Sequence, residues 1–317
     1  MTNAKDQPSS PGKHIDEPTG VETVGHEWDG IEELNNPLPR WWVVTTYLTI
    51  VFSVIYMVVY PAIPLLNSGT QGLWGWSSRG QLTEEMAAGI ASRKAATDAI
   101  AATPLEALVK DEKLMQLAIA GGSAAFKQNC VQCHGSGAAG SLGFPNLKDD
   151  DWLWGGNIHE IELTLQHGIR AADDPATRAS QMPSFGRDGI LTGPQVSDTA
   201  AYVRSLSGKA PADAAAQRGQ AVFAANCAVC HGTDGKGLRQ FGAPNLTDAV
   251  WLYGGQTDQV TGSITKAHAG VMPAWGKKLD PVTIKMLAAY VHSLGGGEDF
   301  TASAPVPPAS GTGNAKP

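Results

Sequence analysis

A chain of 317 residues, 42% hydrophobic and 17% charged, is long enough to hold two or three ordered units. Its formal net charge of -7 is concentrated in residues 1–40, where eight acids face three bases, so the remainder is close to neutral. The sequence has no basic surface of the kind that grips nucleic acid, and no nucleic-acid partner is expected.

In chain order, residues 1–36 form an acidic head expected to be a solvated tail. Residues 37–66 carry a membrane signal. Trp41 to Tyr60 is a run of twenty residues without a charge, and only Thr45, Thr46, Thr49 and Ser53 are polar. At 1.5 Å per residue a helix of that length spans about 30 Å, the thickness of the hydrocarbon layer. Trp41, Trp42, Tyr60, Trp74 and Trp76 suit the interfacial belts. The run starts too late and is too long for the apolar part of a signal peptide, so one uncleaved transmembrane helix in membrane lipid is expected. Arg40 and Arg79 flank its two ends, which leaves charge silent on orientation.

Residues 67–113 read as a helical connector. Gly69, Gly72, Gly75 and Gly80 break the chain, Thr83 to Ala102 reads as a helix with Thr83 as N-cap, and Pro104 starts another.

Two copies of one unit follow, at 114–209 and 210–297. Cys130-Val131-Gln132-Cys133-His134 returns 97 residues later as Cys227-Ala228-Val229-Cys230-His231. The register extends further: Phe126 matches Phe223, Pro145-Asn146-Leu147 matches Pro244-Asn245-Leu246, and Trp152-Leu153-Trp154-Gly155-Gly156 matches Trp251-Leu252-Tyr253-Gly254-Gly255. Ala200 to Leu206 likewise matches Ala288 to Leu294. Leu117 to Asn129 and Arg218 to Asn226 read as helices entering the motifs. Gln195–Leu206 and Pro281–Leu294 read as helices closing each copy, so that Phe126 or Phe223 would pack on Tyr202 or Tyr290 where first and last helices cross. The boundary is placed at the small, polar Gly208 to Asp213. Residues 298–317, rich in Pro, Ala, Ser and Gly, read as a disordered tail.

In Cys-x-x-Cys-His the two thiols are spaced to form thioethers with one haem, and the adjacent histidine lies under its iron. All four cysteines are consumed, leaving none for a disulfide. A thioredoxin-like redox pair lacks its βαβ setting here. A zinc site would need the two pairs to converge and would leave the repeated histidine unexplained. Two covalently bound haem c groups are therefore expected. Units this short bury little apolar surface, and a covalent haem supplies the missing staple.

Met182-Pro183 and Met272-Pro273 follow the motif histidines by 48 and 41 residues. Proline excludes helix at the residue before it, which suits a loop presenting a soft thioether to iron. Met57 lies in the anchor, and Met86, Met115 and Met286 are expected to pack on helices. Only Met182 and Met272 recur with the repeat, and they are the expected distal ligands. The chain path favours each Met serving its own copy, with exchange between copies left open. The competing ligands His167 and His268 are read as structural, His159 and His292 as helix-surface residues. Trp152, Trp251, Arg170 and Arg178 are candidates to meet haem propionates, with core packing for the two tryptophans and solvated charge for the two arginines as the default reading. No paired acid–base groups suggest a substrate pocket, and no catalytic residue is assigned.

The entry to the anchor, Asp29-Gly30-Ile31-Glu32-Glu33-Leu34-Asn35-Asn36-Pro37-Leu38-Pro39-Arg40-Trp41-Trp42, together with one span and two such units, resembles subunit III of the cbb3-type cytochrome c oxidases, the CcoP or FixP family. The resemblance covers residues 28 to 296. It implies an all-α fold: one N-terminal transmembrane helix followed by two tandem cytochrome c domains. It implies haem attachment at Cys130, Cys133, Cys227 and Cys230, with His134, Met182, His231 and Met272 as axial ligands. It implies an electron relay from a cytochrome c donor, by way of a monohaem cytochrome c subunit, to a catalytic haem b and copper subunit that reduces oxygen and pumps protons. Haem is joined to this motif outside the bacterial inner membrane, so the haem domains are expected in the periplasm. Two rival readings are a membrane-tethered dihaem carrier, which would lack the Pro-Leu-Pro-Arg-Trp-Trp entry, and a dihaem peroxidase, which would need an open iron.

Overall fold

The computed structural model describes residues 12–299. It divides into two units, one ending at Ile90 and the other beginning at Ala91.

In the first unit the head is partly folded, contrary to the expectation of a tail; residues 1–11 lie outside the described residues. β1 (Thr23–Trp28) and β2 (Ile31–Leu34) form an antiparallel hairpin with Glu27 opposite Glu32 and Trp28 opposite Ile31. Asp29 and Gly30 turn it with φ of 51° and 82°. Positive φ at both central residues is what a two-residue hairpin turn requires, and Asp-Gly supplies it.

α1 (Arg40–Val59) is the apolar run; it is long and apolar enough to cross a membrane, and none of its residues is buried within the protein. Its hydroxyls are satisfied internally. Thr45, Thr46 and Ser53 donate to carbonyls four residues back, and Thr49 to the carbonyl of Thr46. None of these four Thr and Ser hydroxyls is then left unpaired in hydrocarbon, where each would cost several kcal/mol. Trp74 and Trp76 meet Tyr60 edge-on at 5.2 and 5.8 Å, gathering the aromatic belt at one helix end.

α2 (Ser78–Ala102) spans the join between the units and starts earlier than expected. Ser77 Oγ accepts from Gly80 N–H at 3.0 Å, so Ser77 holds the capping role assigned to Thr83. The Thr83 hydroxyl instead bonds back to the Arg79 carbonyl. Met86, expected to pack, is 58% exposed.

The second unit holds both motif-bearing copies. After α3 (Leu105–Leu108), which starts at Pro104 as expected, come α4 (Glu112–Asn129), α5 (Val131–His134), α6 (Ile158–His167) and α7 (Gly193–Leu206). The second copy supplies α8 (Ala214–Asn226), α9 (Ala228–His231), a 3₁₀ turn at Arg239–Phe241, α10 (Thr257–Lys266) and α11 (Pro281–His292). Asp111, Asn157, Asp213 and Asp280 each accept a backbone N–H three residues on, fixing the starts of α4, α6, α8 and α11.

The packing exchanges the closing helices. α4 packs on α11 and α6 on α11, whereas α8 packs on α7 and α10 on α7. The aromatic pairs follow: Phe126 meets Tyr290 and Phe223 meets Tyr202, each at 5.3 Å. One core joins Phe126, Ile158, Leu165, Ile284 and Leu287; the other joins Phe185, Val196, Val203, Phe223 and Ile264. The copy boundary at 209/210 therefore falls inside a packed pair. α7 and α8 are joined by only seven residues, 207–213. A link this short makes pairing of consecutive helices cheap in loop entropy, and Tyr202 lands on the next helix rather than returning to α4.

The connector is built into the first core. Ile100, Leu105 and Leu108 are buried there, and Lys285 Nζ donates to the carbonyls of Ile100, Ala101 and Thr103. A cation at the C-terminal end of α2 is electrostatically favourable. Leu108→Ala should cost about 2–5 kcal/mol, the usual range for emptying a closed core site. Chemical denaturation of a fragment starting at residue 67 measures it, with Met86→Ala as a near-neutral control.

Glu298, assigned to the tail, is engaged. It accepts from Gly156 N–H at 2.8 Å and pairs with Arg239, and its own N–H donates to the Gly156 carbonyl at 3.0 Å. Residues 300–317, the remainder of that expected tail, lie outside the described residues.

Candidate haem centres

The two motifs have matching geometry. Cys130 and Cys227 end α4 and α8 and are buried, while Cys133 and Cys230 are more open. Burial, reinforced by the neighbouring Cys133 and Cys230, pushes the Cys130 and Cys227 thiols up to about 11. Among the described residues no three His, Cys, Asp and Glu side chains converge as a metal site, which leaves the zinc alternative without a centre.

His134 Nδ1 lies 3.1 Å from the Pro145 carbonyl and His231 Nδ1 lies 3.2 Å from the Pro244 carbonyl. A carbonyl only accepts, so Nδ1 carries the proton and Nε2 keeps its lone pair free for iron. Burial lowers both pKa values, with the carbonyl bond opposing, which favours the neutral ring that ligates.

Each Met-Pro loop docks on the other copy. Met272 exchanges two backbone hydrogen bonds with Ile169, at 2.9 and 3.0 Å, and Trp275 N–H and Gly276 N–H donate to the carbonyls of Leu165 and Gln166 at the end of α6. The Met272 side chain packs on the core containing Cys130. In the reciprocal place, Ser184 Oγ donates to the Lys266 carbonyl at 2.7 Å and Arg187 N–H to the Thr265 carbonyl at 2.8 Å. Met182 packs on the core containing Cys227. Both methionines are partly buried between exposed neighbours.

The other candidates are otherwise engaged. His167 Nδ1 pairs with Asp174 at 3.1 Å, and His268 stacks on Tyr253 with ring centres 3.8 Å apart. His159 pairs with Glu106, and His292 Nε2 meets the Glu298 carbonyl. Arg170 holds the carbonyls of Gly270 and Ser180. Arg178, read as solvated, is a partly buried partner of Glu160 and lies over the Trp154 ring at 5.2 Å.

These residues fit a haem at each centre: two thiols, a histidine with Nε2 free, and a thioether loop. One orphan supports the fit. Trp152 Nε1 donates to the Gly296 carbonyl at 2.6 Å, but its counterpart Trp251 Nε1 is buried without a partner. A buried N–H left unmade costs about 1–3 kcal/mol, and a haem carboxylate is an acceptor suited to it.

Fold and centres define a membrane-anchored dihaem c-type cytochrome. Residues 20–67 match the N-terminal domain of cytochrome oxidase-cbb3, FixP; residues 119–207 match cytochrome c; residues 214–291 match cytochrome c oxidase, cbb3-type, subunit III. The cbb3-type cytochrome c oxidase subunit FixP of Rhizobium meliloti is 52% identical over 287 residues, covering 90% of this chain and 98% of that protein. FixP of Sinorhizobium medicae is 51% identical over 286 residues, with the same coverage. Subunit CcoP of Cereibacter sphaeroides is 50% identical over 276 residues, 87% of this chain and 95% of that one. The chain belongs to the FixP/CcoP family of cbb3-type cytochrome c oxidase subunits. It is a membrane-anchored electron-relay subunit of an oxidase, non-catalytic by itself, with two covalently bound haem c groups. The match at 20–67 also separates it from a tethered carrier, through the same anchor entry that carried the resemblance.

Proposed function

We propose that this subunit stands in the periplasm at the electron entry of the oxidase, with crossed ligation of its two haems. Cys130 and Cys133 would hold one haem, with His134 and Met272 as its ligands. Cys227 and Cys230 would hold the other, with His231 and Met182 as its ligands. The reciprocal docking of the Met-Pro loops carries this reading. When bound, the haems supply one-electron exchange between ferrous and ferric iron, at a potential raised by thioether ligation. The chain holds each histidine tautomer through a proline carbonyl and surrounds Cys130 and Cys227 with buried apolar side chains.

The partners are a cytochrome c donor, a monohaem cytochrome c subunit and the catalytic subunit carrying haem b and copper. With both sixth positions filled, the purified chain should exchange electrons with a small cytochrome c, consume no oxygen and, once reduced, fail to bind carbon monoxide rapidly. Oxygen uptake at a useful rate would sink the relay reading and revive the peroxidase-like one.

The anchor has its own check. Deleting residues 1–66 and adding a cleavable secretion signal should release a soluble dihaem protein into the periplasm. Mature protein from native membranes beginning after residue 60 would show that α1 is removed, not retained.

A further inference from the structure

The crossing extends to the histidine side of each centre. Gly242 has φ of 59° and faces Trp154 of the first copy so closely that a Cβ there would overlap the indole ring. Two residues on, the Pro244 carbonyl accepts from His231 Nδ1. The mirror arrangement holds in the other centre. Gly143 has φ of 84°, its N–H donates to the Leu252 carbonyl at 2.8 Å, and Tyr253 touches it in ordinary van der Waals contact, 3.4 Å from where a Cβ would stand. Two residues on, the Pro145 carbonyl accepts from His134 Nδ1.

Each loop thus carries a glycine at positive φ against a ring from the other copy: Trp154 occupies the space a side chain at Gly242 would need, and Tyr253 lies in contact at Gly143 beside the Leu252 hydrogen bond. The rings are themselves held. Arg178 lies over Trp154, donates to the Trp154 carbonyl at 2.8 Å and pairs with Glu160; His268 stacks on Tyr253. A carbonyl that binds the outer nitrogen of a ligating histidine sets that ring's orientation and basicity, and through them the metal's properties. What presses on the loop sets the carbonyl.

We propose that Trp154 and Tyr253 are crossed positioning residues: Trp154 fixes the Nδ1 hydrogen bond of His231, and Tyr253 fixes that of His134. The proposal rests on the assignment of those histidines as iron ligands. Each haem would then answer, on both faces, to the copy that does not attach it.

The test uses the full-length, haem-loaded chain in detergent, with Trp154→Ala, Tyr253→Ala and the conservative Trp154→Phe. Solvent exchange of the histidine Nδ1–H is read in the hyperfine-shifted proton spectrum, beside a redox titration. Trp154→Ala should speed exchange at His231 by about tenfold, the scale of one weakened net hydrogen bond, and shift the potential of the haem at Cys227 and Cys230. His134 and its haem should be unchanged. Trp154→Phe should restore most of the effect, and Tyr253→Ala should act on His134 alone. Effects on the same-copy histidine, on both equally, or on neither would overturn the proposal while leaving the ligand assignment intact. Absence of hyperfine-shifted histidine signals in the unsubstituted protein would overturn the ligand assignment, and the proposal with it.

Discussion

On the proposed attachment and ligation, Met272→Leu should strip the sulfur–iron absorption band from the haem at Cys130 and Cys133, 142 and 139 residues upstream, and spare the haem at Cys227 and Cys230. The potential of the affected haem should fall by on the order of 0.1–0.3 V, a share of the roughly 0.8 V that axial ligation spans. Met182→Leu should do the converse. Assignment is secured in single-haem backgrounds: Cys227→Ala with Cys230→Ala leaves one haem, and Met272→Leu must clear its band while Met182→Leu does not. In the dihaem protein each substitution should also change one of the two low-spin electron paramagnetic resonance signals. The opposite pattern would restore own-copy ligation. The energetics favour crossing. To reach its own copy's haem, Met182 would have to pull its loop from α10. That move exposes Phe185, worth about 1.5–3 kcal/mol, and breaks the bonds to Lys266 and Thr265, worth roughly 1 kcal/mol each.

The covalent centres and the anchor were legible because their chemistry is local. A Cys-x-x-Cys-His motif contains its own geometry, and a twenty-residue uncharged run contains its own length. The exchange was not legible from the packing residues, because the two copies offer the same ones. Phe126 is as good a partner for Tyr202 as for Tyr290, and sequence identity between repeats carries no information about which pairs form. The discriminating signal is the shortness of 207–213, which suits a boundary between repeats as readily as the link within a helix pair. The hairpin at Thr23–Leu34 was hidden by the acidic composition of the head, although Asp29-Gly30 is a strong turn signal. α6 and α10 are each only ten residues long, too short for a clear periodic signal, although Asn157 and Gln256 cap them. In the sequence, the positioning rings Trp154 and Tyr253 stand out only as a match between the repeats. Their role depends on glycines about 90 to 110 residues away along the chain, which periodicity cannot reach.

Gly122→Ala should destabilise the protein, against the sign that helix propensity alone gives. In an open helix the change would gain up to about 1 kcal/mol. Here a Cβ at Gly122 would overlap the Met286 carbonyl oxygen and come within 2.7 Å of Tyr290 Cβ, so α4 and α11 must separate. The obstacle is backbone, which cannot rotate away, and overpacking of this kind costs about 1–3 kcal/mol or more. The damage should appear at a particular haem. α11 follows the Met272 loop by eight residues, so lifting it should loosen Met272 and weaken the sulfur band of the haem at Cys130 first. Gly219→Ala is the matched test: its Cβ would overlap the Asp198 carbonyl oxygen on α7, and the loss should fall on the haem at Cys227. Denaturant titration followed at each haem measures both. A double-mutant cycle identifies the partner helix directly. Phe126→Leu with Tyr290→Leu should show a coupling of about 0.5–1.5 kcal/mol, the worth of an aromatic pair, and Phe126→Leu with Tyr202→Leu should add without coupling. Coupling to Tyr202 instead would mean that each copy closes on itself, and crossed ligation would lose its frame.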